Sequence, residues 1–170
     1  MRTRAAKVAG IEVPPLEVDD PTGDADLLVL GWGSTFGPIT GAARQLRADG
    51  VPIAQAHLRY LNPMPGNLEE VLRSYRRVVL PEMNLGQLAL LLRGMFLVDV
   101  IAVNQVRGLP FRVDELIAAV RSVLDGSYLR TEIGSAGRWG TPPAVPTIEV
   151  GTDPIPDPET LLTATNGASR

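Results

Sequence analysis

Short apolar runs alternate with amphipathic stretches along the chain as far as residue 124. Leu27-Leu28-Val29-Leu30 is continuously apolar and ends at Gly31, the pattern of a strand covered on both faces. Ile39, Ala42, Ala43 and Leu46 then recur at i, i+3, i+4 and i+7, while Arg44, Gln45 and Arg47 fall on the other side. That spacing predicts a helix with Pro38 at its first position and Asp49-Gly50 closing it. Val51–Leu58 reads as a second strand. Leu68, Val71, Leu72 and Tyr75 mark a short helix, capped by Asn67 with Glu70 at the capping-box position. Val78-Val79-Leu80 is a third strand, stopped by Pro81. Leu85–Phe96 is apolar on nearly every side, which predicts a deeply buried helix or, failing that, a subunit seam. Asp99–Val106 is the fourth strand, and Val113, Leu116, Ile117, Val120 and Leu124 mark a last helix ended by Gly126.

Strands that alternate with helices imply parallel neighbours joined by crossovers. Leu16-Glu17-Val18, followed by the turn residues Asp20-Pro21-Thr22-Gly23, adds a probable antiparallel edge strand. The expected fold class is α/β: a three-layer α/β/α sandwich around a mostly parallel sheet. Three regions follow. Residues 1–15 are a lead-in ending in Pro14-Pro15, read as the stub of a helix begun upstream. Residues 16–125 form the α/β domain. Residues 126–170 are a Pro/Gly-rich tail, with Thr141-Pro142-Pro143-Ala144-Val145-Pro146 and then Pro154, Pro156 and Pro158, expected to be partly disordered.

Composition narrows the chemistry. A chain of 170 residues allows one ordinary domain, and 45% hydrophobic residues suffice for a core. A net charge of −3 argues against nucleic-acid binding. The absence of cysteine removes disulfides, iron–sulfur ligation, thiolate zinc sites and a thiol nucleophile. A single histidine, His57, excludes a multi-histidine metal site. No apolar run reaches the roughly 18 residues that span a bilayer, and Met1-Arg-Thr-Arg is not followed by a signal-like apolar stretch. The expected location is the cytoplasm.

In open α/β sheets, ligands and partners meet the carboxyl ends of the strands. Gly31–Gly37 there reads G-x-G-x-x-x-G, and Arg59 follows the next strand. This is the outline of an NADP or other nucleotide site, with amides on the pyrophosphate and the arginine on the 2′-phosphate. The competing reading is a tight strand-to-helix turn that needs glycine sterically; bulky Trp32 and the missing donor of Pro38 favour it. Ser34-Thr35 does not sit in a G-x-S-x-G elbow. Glu82, Asn84 and Gln87 cluster where a helix begins, as a ligand or subunit contact or as a cap; capping explains Asn84 but not Glu82. His57, among apolar neighbours, reads as a core or interface histidine. No catalytic residue or metal ligand is assigned. The candidate strand-end or interface residues are Gly33, Ser34, Thr35, Arg59, Glu82, Asn84, Gln87 and Asn104.

Three of these segments resemble a known family. Leu27–Thr35 resembles the first strand and loop of the C-terminal domain in transketolase-like, thiamine-diphosphate-dependent enzymes, and Ala56–Pro63 resembles the second strand of that domain. Val78-Val79-Leu80-Pro81-Glu82-Met83-Asn84-Leu85-Gly86-Gln87-Leu88, with Gly108-Leu109-Pro110-Phe111, looks like the alpha subunit of 2-oxoglutarate:ferredoxin oxidoreductase and its 2-oxoacid relatives. The resemblance covers about residues 4–124 and implies the C-terminal portion of a longer subunit. For the full enzyme it implies oxidative decarboxylation of a 2-oxoacid to an acyl-CoA, with electrons passed to ferredoxin. It places thiamine diphosphate, magnesium and iron–sulfur in the full complex, and none of them on this chain alone. The glutamate that meets the aminopyrimidine ring belongs to a missing module. The diphosphate–magnesium site belongs to the beta subunit, and no Gly-Asp-Gly stands here. The implied partners are the beta subunit, the rest of the alpha subunit and, through the complex, ferredoxin; neither nucleic acid nor membrane is implied. The implied role is structural docking by a chain inert on its own, which would bare an apolar patch.

Overall fold

The computed structural model describes residues 2–128. The tail expected from 126 onward therefore lies, beyond Tyr128, outside the described residues.

Helix α1 (Arg2–Ala9) leads in, and β1 (Val18–Asp19) follows it. Then β2 (Leu27–Trp32), α2 (Phe36–Ala48), β3 (Ala54–Leu58), α3 (Leu68–Ser74), β4 (Arg77–Glu82), α4 (Gln87–Phe96), β5 (Val100–Asn104) and α5 (Val113–Asp125) alternate as expected. A 3-10 turn, Gly33–Thr35, joins β2 to α2. The sheet order is β1-β3-β2-β4-β5. The four longer strands are parallel, and β1 runs antiparallel along the β3 edge, Val18 opposite Ala56 and Asp19 opposite Gln55.

Alternation along each strand divides the core in two. One face packs Leu28, Leu30, Ala54, Ala56, Val78, Leu80 and Val100 beneath Leu68 and Leu72 of α3 and Leu88, Ala89 and Leu92 of α4. The other packs Leu27, Val29, Ile53, Val79 and Ile101 beneath Ile39, Ala42, Ala43 and Leu46 of α2 and Leu116, Val120 and Val123 of α5. A sheet covered on both faces by helices is the three-layer α/β/α sandwich that the apolar strand runs predict.

Several local expectations change. Pro38 is the third residue of α2, because Phe36 and Gly37 open the helix; its missing N–H still falls among the orphan donors of the first turn. The second strand begins at Ala54 rather than Val51. Pro81 does not stop β4. The Gln105 amide bonds the Glu82 carbonyl at 2.9 Å, so Leu80 and Glu82 face β5 and Pro81 faces β2. Registered pairing of β4 with β2 ends at Val79, so no partner requires the donor that proline lacks.

Asn67 precedes α3 but its side chain does not cap it. It instead accepts the Leu16 amide at 2.8 Å and donates to the Leu16 carbonyl at 3.0 Å, holding the chain that leads into β1. Arg47 and Gln55 anchor that strand at its other end, each donating to Asp19 Oδ2 at 2.8 Å. Hydrogen bonding from Arg47, the largest influence, holds the Asp19 carboxyl below its ordinary pKa.

The expectation of a deeply buried α4 is overturned. Only Leu88, Ala89 and Leu92 are buried; Leu90 is 71% and Met95 56% exposed, and Leu85 and Leu97 at the two ends are 79% and 84% exposed. The helix covers one side of the sheet, and among the described residues nothing covers its outer side.

The outer strand β5 is protected in a different way. With Gln105 facing β4, alternation turns the Val100 and Ala102 carbonyls outward. Arg93 donates to Val100, through Nε at 2.9 Å and also through Nη2, and the Tyr128 hydroxyl donates to Ala102 at 2.6 Å. Two of the outward carbonyls of this edge are thereby occupied by side chains.

Candidate functional site

The order β3-β2-β4 makes the gap between β2 and β4 the topological switch point, because the chain turns to opposite sides of β2 there. Pairing of β2 with β3 continues to Trp32, whereas its pairing with β4 ends at Val29. Registered pairing of the two strands ends there, short of their carboxyl ends, where an open sheet of this topology has its switch-point crevice. Ser34 lies at its mouth, half across from β4, and donates to the Met83 sulfur at 3.4 Å. A thioether is not a base, so this contact does nothing to activate the hydroxyl.

The glycine-rich turn is built for close packing. A Cβ on Gly31 would lie 2.7 Å from Ile39 Cδ1, 2.9 Å from His57 Nδ1 and 3.0 Å from Thr35 Oγ1. Gly33 has φ +59°. Buried Thr35 accepts the Trp32 amide at 3.0 Å and donates to the Trp32 carbonyl at 2.9 Å, clamping the turn on itself. The geometry favours the steric reading for Gly31, by close packing, and for Gly33, by its left-handed backbone, over the nucleotide-loop reading; a Cβ on Gly37 would meet nothing within 4 Å.

Beside the turn, the His57 ring meets Phe36 edge to face, centroids 5.1 Å apart. Its Nδ1 is buried with no hydrogen-bond partner. Burial lowers the His57 pKa, the neighbouring Arg59 charge lowers it further, and a backbone contact with Gly33 opposes both. Arg59 itself is exposed beyond the end of β3. With Pro14, Pro15, Phe36, His57 and Tyr60 it lines a half-open groove of about 530 Å³. That groove lies at the sheet edge, away from the switch-point crevice.

The third group assembles on α4. Glu82 is fully buried at the end of β4. Its Oε1 accepts the Leu88 amide and its Oε2 the Ala89 amide, both at 3.0 Å. Asn84 Oδ1 accepts the Gly86 amide at 2.7 Å and the Gln87 amide at 3.3 Å, and Asn84 Nδ2 donates to Glu82 at 3.3 Å. All the orphan donors of this helix start are thus satisfied by two side chains. Capping explains Glu82 as well as Asn84. The left-handed Gly86, φ +87°, packs on Asn104, whose Nδ2 would lie 3.0 Å from a Cβ there. Gln87 points outward and is exposed.

The structure therefore brings Gly33, Ser34 and Thr35 to one lip of the crevice and Glu82, Asn84 and Asn104 to the other side of the strand ends. It leaves Arg59 at the sheet edge. Sequence reasoning missed Met83, which meets Ser34; no periodicity marks a strand-end methionine. It also missed the bare Leu97, although its position just after a helix was readable.

No protein-family model matches the chain. Across 132 residues it is 57% identical to 2-oxoglutarate oxidoreductase subunit KorA of Mycobacterium tuberculosis, a match covering 78% of this chain and 20% of that protein. The chain is homologous to one segment of the alpha subunit of 2-oxoacid:ferredoxin oxidoreductases. The alpha subunit of 2-oxoacid:ferredoxin oxidoreductase 2 from Aeropyrum pernix is 36% identical over 129 residues, again 20% of its length. Among solved structures, 2-oxoglutarate:ferredoxin oxidoreductase from Magnetococcus marinus, with 2-oxoglutarate, coenzyme A and succinyl-CoA bound, superposes with a TM-score of 0.61 at 27% identity, over 69% of this chain and 20% of that one. The chain spans about a fifth of the length of these family members.

The residues present do not fit an iron–sulfur cluster. Iron–sulfur ligation needs thiolates, and the chain has no cysteine. Among the described residues no three carboxylate or imidazole groups come together to hold a metal ion. The buried carboxylate at the strand ends, Glu82, has both oxygens committed to helix amides. No helix among the described residues is long and apolar enough to cross a membrane.

Proposed function

We propose that this chain is the transketolase-like C-terminal portion of the alpha subunit of a 2-oxoacid:ferredoxin oxidoreductase and acts as a docking piece of that enzyme. The 57% identity confined to a fifth of the mycobacterial subunit carries the reading. The full complex converts a 2-oxoacid and coenzyme A to an acyl-CoA and carbon dioxide and delivers the electrons to ferredoxin. Thiamine diphosphate, magnesium and iron–sulfur clusters supply that chemistry from parts of the complex other than this chain. The partners are the beta subunit and the remaining alpha-subunit portion, with ferredoxin reached through the assembly, in the cytoplasm. Here the strand-end residues Gly33, Ser34, Thr35, Arg59, Glu82, Asn84, Gln87 and Asn104 serve contact and its architecture: Glu82 and Asn84 fix the start of α4, and Ser34, Arg59 and Gln87 offer exposed polar groups.

The test is turnover. The purified chain gives no 2-oxoglutarate- and coenzyme-A-dependent reduction of ferredoxin or a viologen dye. Such reduction by the chain alone, without a beta subunit, overturns the reading.

A further inference from the structure

The outer side of α4 combines three properties. It is apolar, with Leu90, Leu91 and Met95 exposed and with Leu85 and Leu97 bare at its two ends. It carries a single charged side chain, Arg93, which is exposed and donates to the Val100 carbonyl. And it carries strain. Leu97 ends the helix at φ +53°, ψ +40°, a left-handed cap that glycine takes at no steric cost and that bulky residues rarely adopt. The cap lets the Leu97 amide bond the Arg93 carbonyl at 3.0 Å, a bond glycine would make as well, and the leucine side chain, 84% exposed, adds no packing within the described residues. A bulky residue at such a cap, with its side chain unpacked, points to a contact made outside this fold.

We infer that the outer face of α4 is covered by the rest of the alpha subunit, against which it presents a largely apolar surface, with Leu97 as an anchor. This rests on the proposed reading of the chain as one piece of that subunit. The occupant follows from length. The family members match this domain with only 20% of their chain, so the other four-fifths is joined to the same domain in one polypeptide and is held beside it at a high effective concentration. A contiguous exposed apolar patch of this kind is what a domain interface looks like when uncovered.

Leu97→Gly separates the fold from the contact, because its effects on the two have opposite signs. In the full chain alone, relief of the left-handed strain raises the thermal midpoint by about 4 °C. The second host is the mycobacterial subunit carrying this chain in place of its 132 matching residues. There the same substitution lowers the midpoint, and Leu90→Ser/Leu91→Ser lowers it further while leaving the chain alone nearly unchanged. A rise of equal size in both hosts overturns the inference. So does a double variant that destabilises the chain alone as much as the hybrid, or sedimentation showing a dimer of the chain that these variants dissolve; the cover would then lie within the chain or in a second copy. A hybrid that does not pair with the beta subunit even without substitutions fails for a different reason, and defeats the proposed function itself.

Discussion

Both oxygens of Glu82 are held by amides at the start of α4, so its carboxylate acts as a cap reaching across from the neighbouring strand. Glu82→Gln replaces one acceptor by an NH2 group that faces an amide donor in a buried site. The expected loss is about 2–3 kcal/mol in urea unfolding, against about 0.5 kcal/mol or less for Gln87→Ala on the exposed side. Equal midpoints for the two variants would contradict the cap. His57 gives a second residue-scale expectation, through pH. Burial lowers its pKa in the folded chain, so the unfolded chain takes up the proton first as the pH falls below about 6.5. Stability is full above that value, declines as the pH falls toward the folded-state pKa, and the loss levels off below it. His57→Gln removes this contribution, so the stability difference between wild type and variant shrinks from pH 7.5 to pH 5.5. Parallel urea midpoints across that range would refute the assignment.

At the scale of elements, the alternating pattern carried the architecture because apolar period and burial agree. Leu27–Leu30 is buried on both faces, and Ile39, Ala42, Ala43 and Leu46 all point inward. What the pattern could not carry is anything that depends on who stands alongside. Pro81 is compatible with β4 only because registered pairing with β2 has already ended, and Asn67 prefers the Leu16 backbone, 51 residues away, to its own helix. The strand-end loops were readable as a site, but the role of Glu82 needed the sixth and seventh residues beyond it brought back in space. The α4 helix misled for a similar reason: its composition reports that burial is required, not which chain supplies it. The β5 margin yields a prediction of its own. Removing both donors, with Arg93→Ala and Tyr128→Phe, bares the Val100 and Ala102 carbonyls for strand addition. Light scattering on incubation is expected to rise several-fold over wild type, and an unchanged trace would dismiss the protective role.

For the molecule as a whole, an α/β/α sandwich with one uncovered helix face predicts dye-binding behaviour. The chain alone enhances the fluorescence of an anionic naphthalene dye while retaining cooperative unfolding, and Leu90→Ser/Leu91→Ser cuts that signal at least by half. Loss of cooperativity without the substitutions would point to a loosened core instead. The cap described for Glu82 then has a mechanical meaning. The first turn of α4 hangs on the last residue of β4, beside the crevice where Ser34 reaches Met83. A neighbour leaning on the outside of that helix therefore bears on the carboxyl end of β4 through Glu82 and Asn84, so two surfaces of the domain are hitched to the same post.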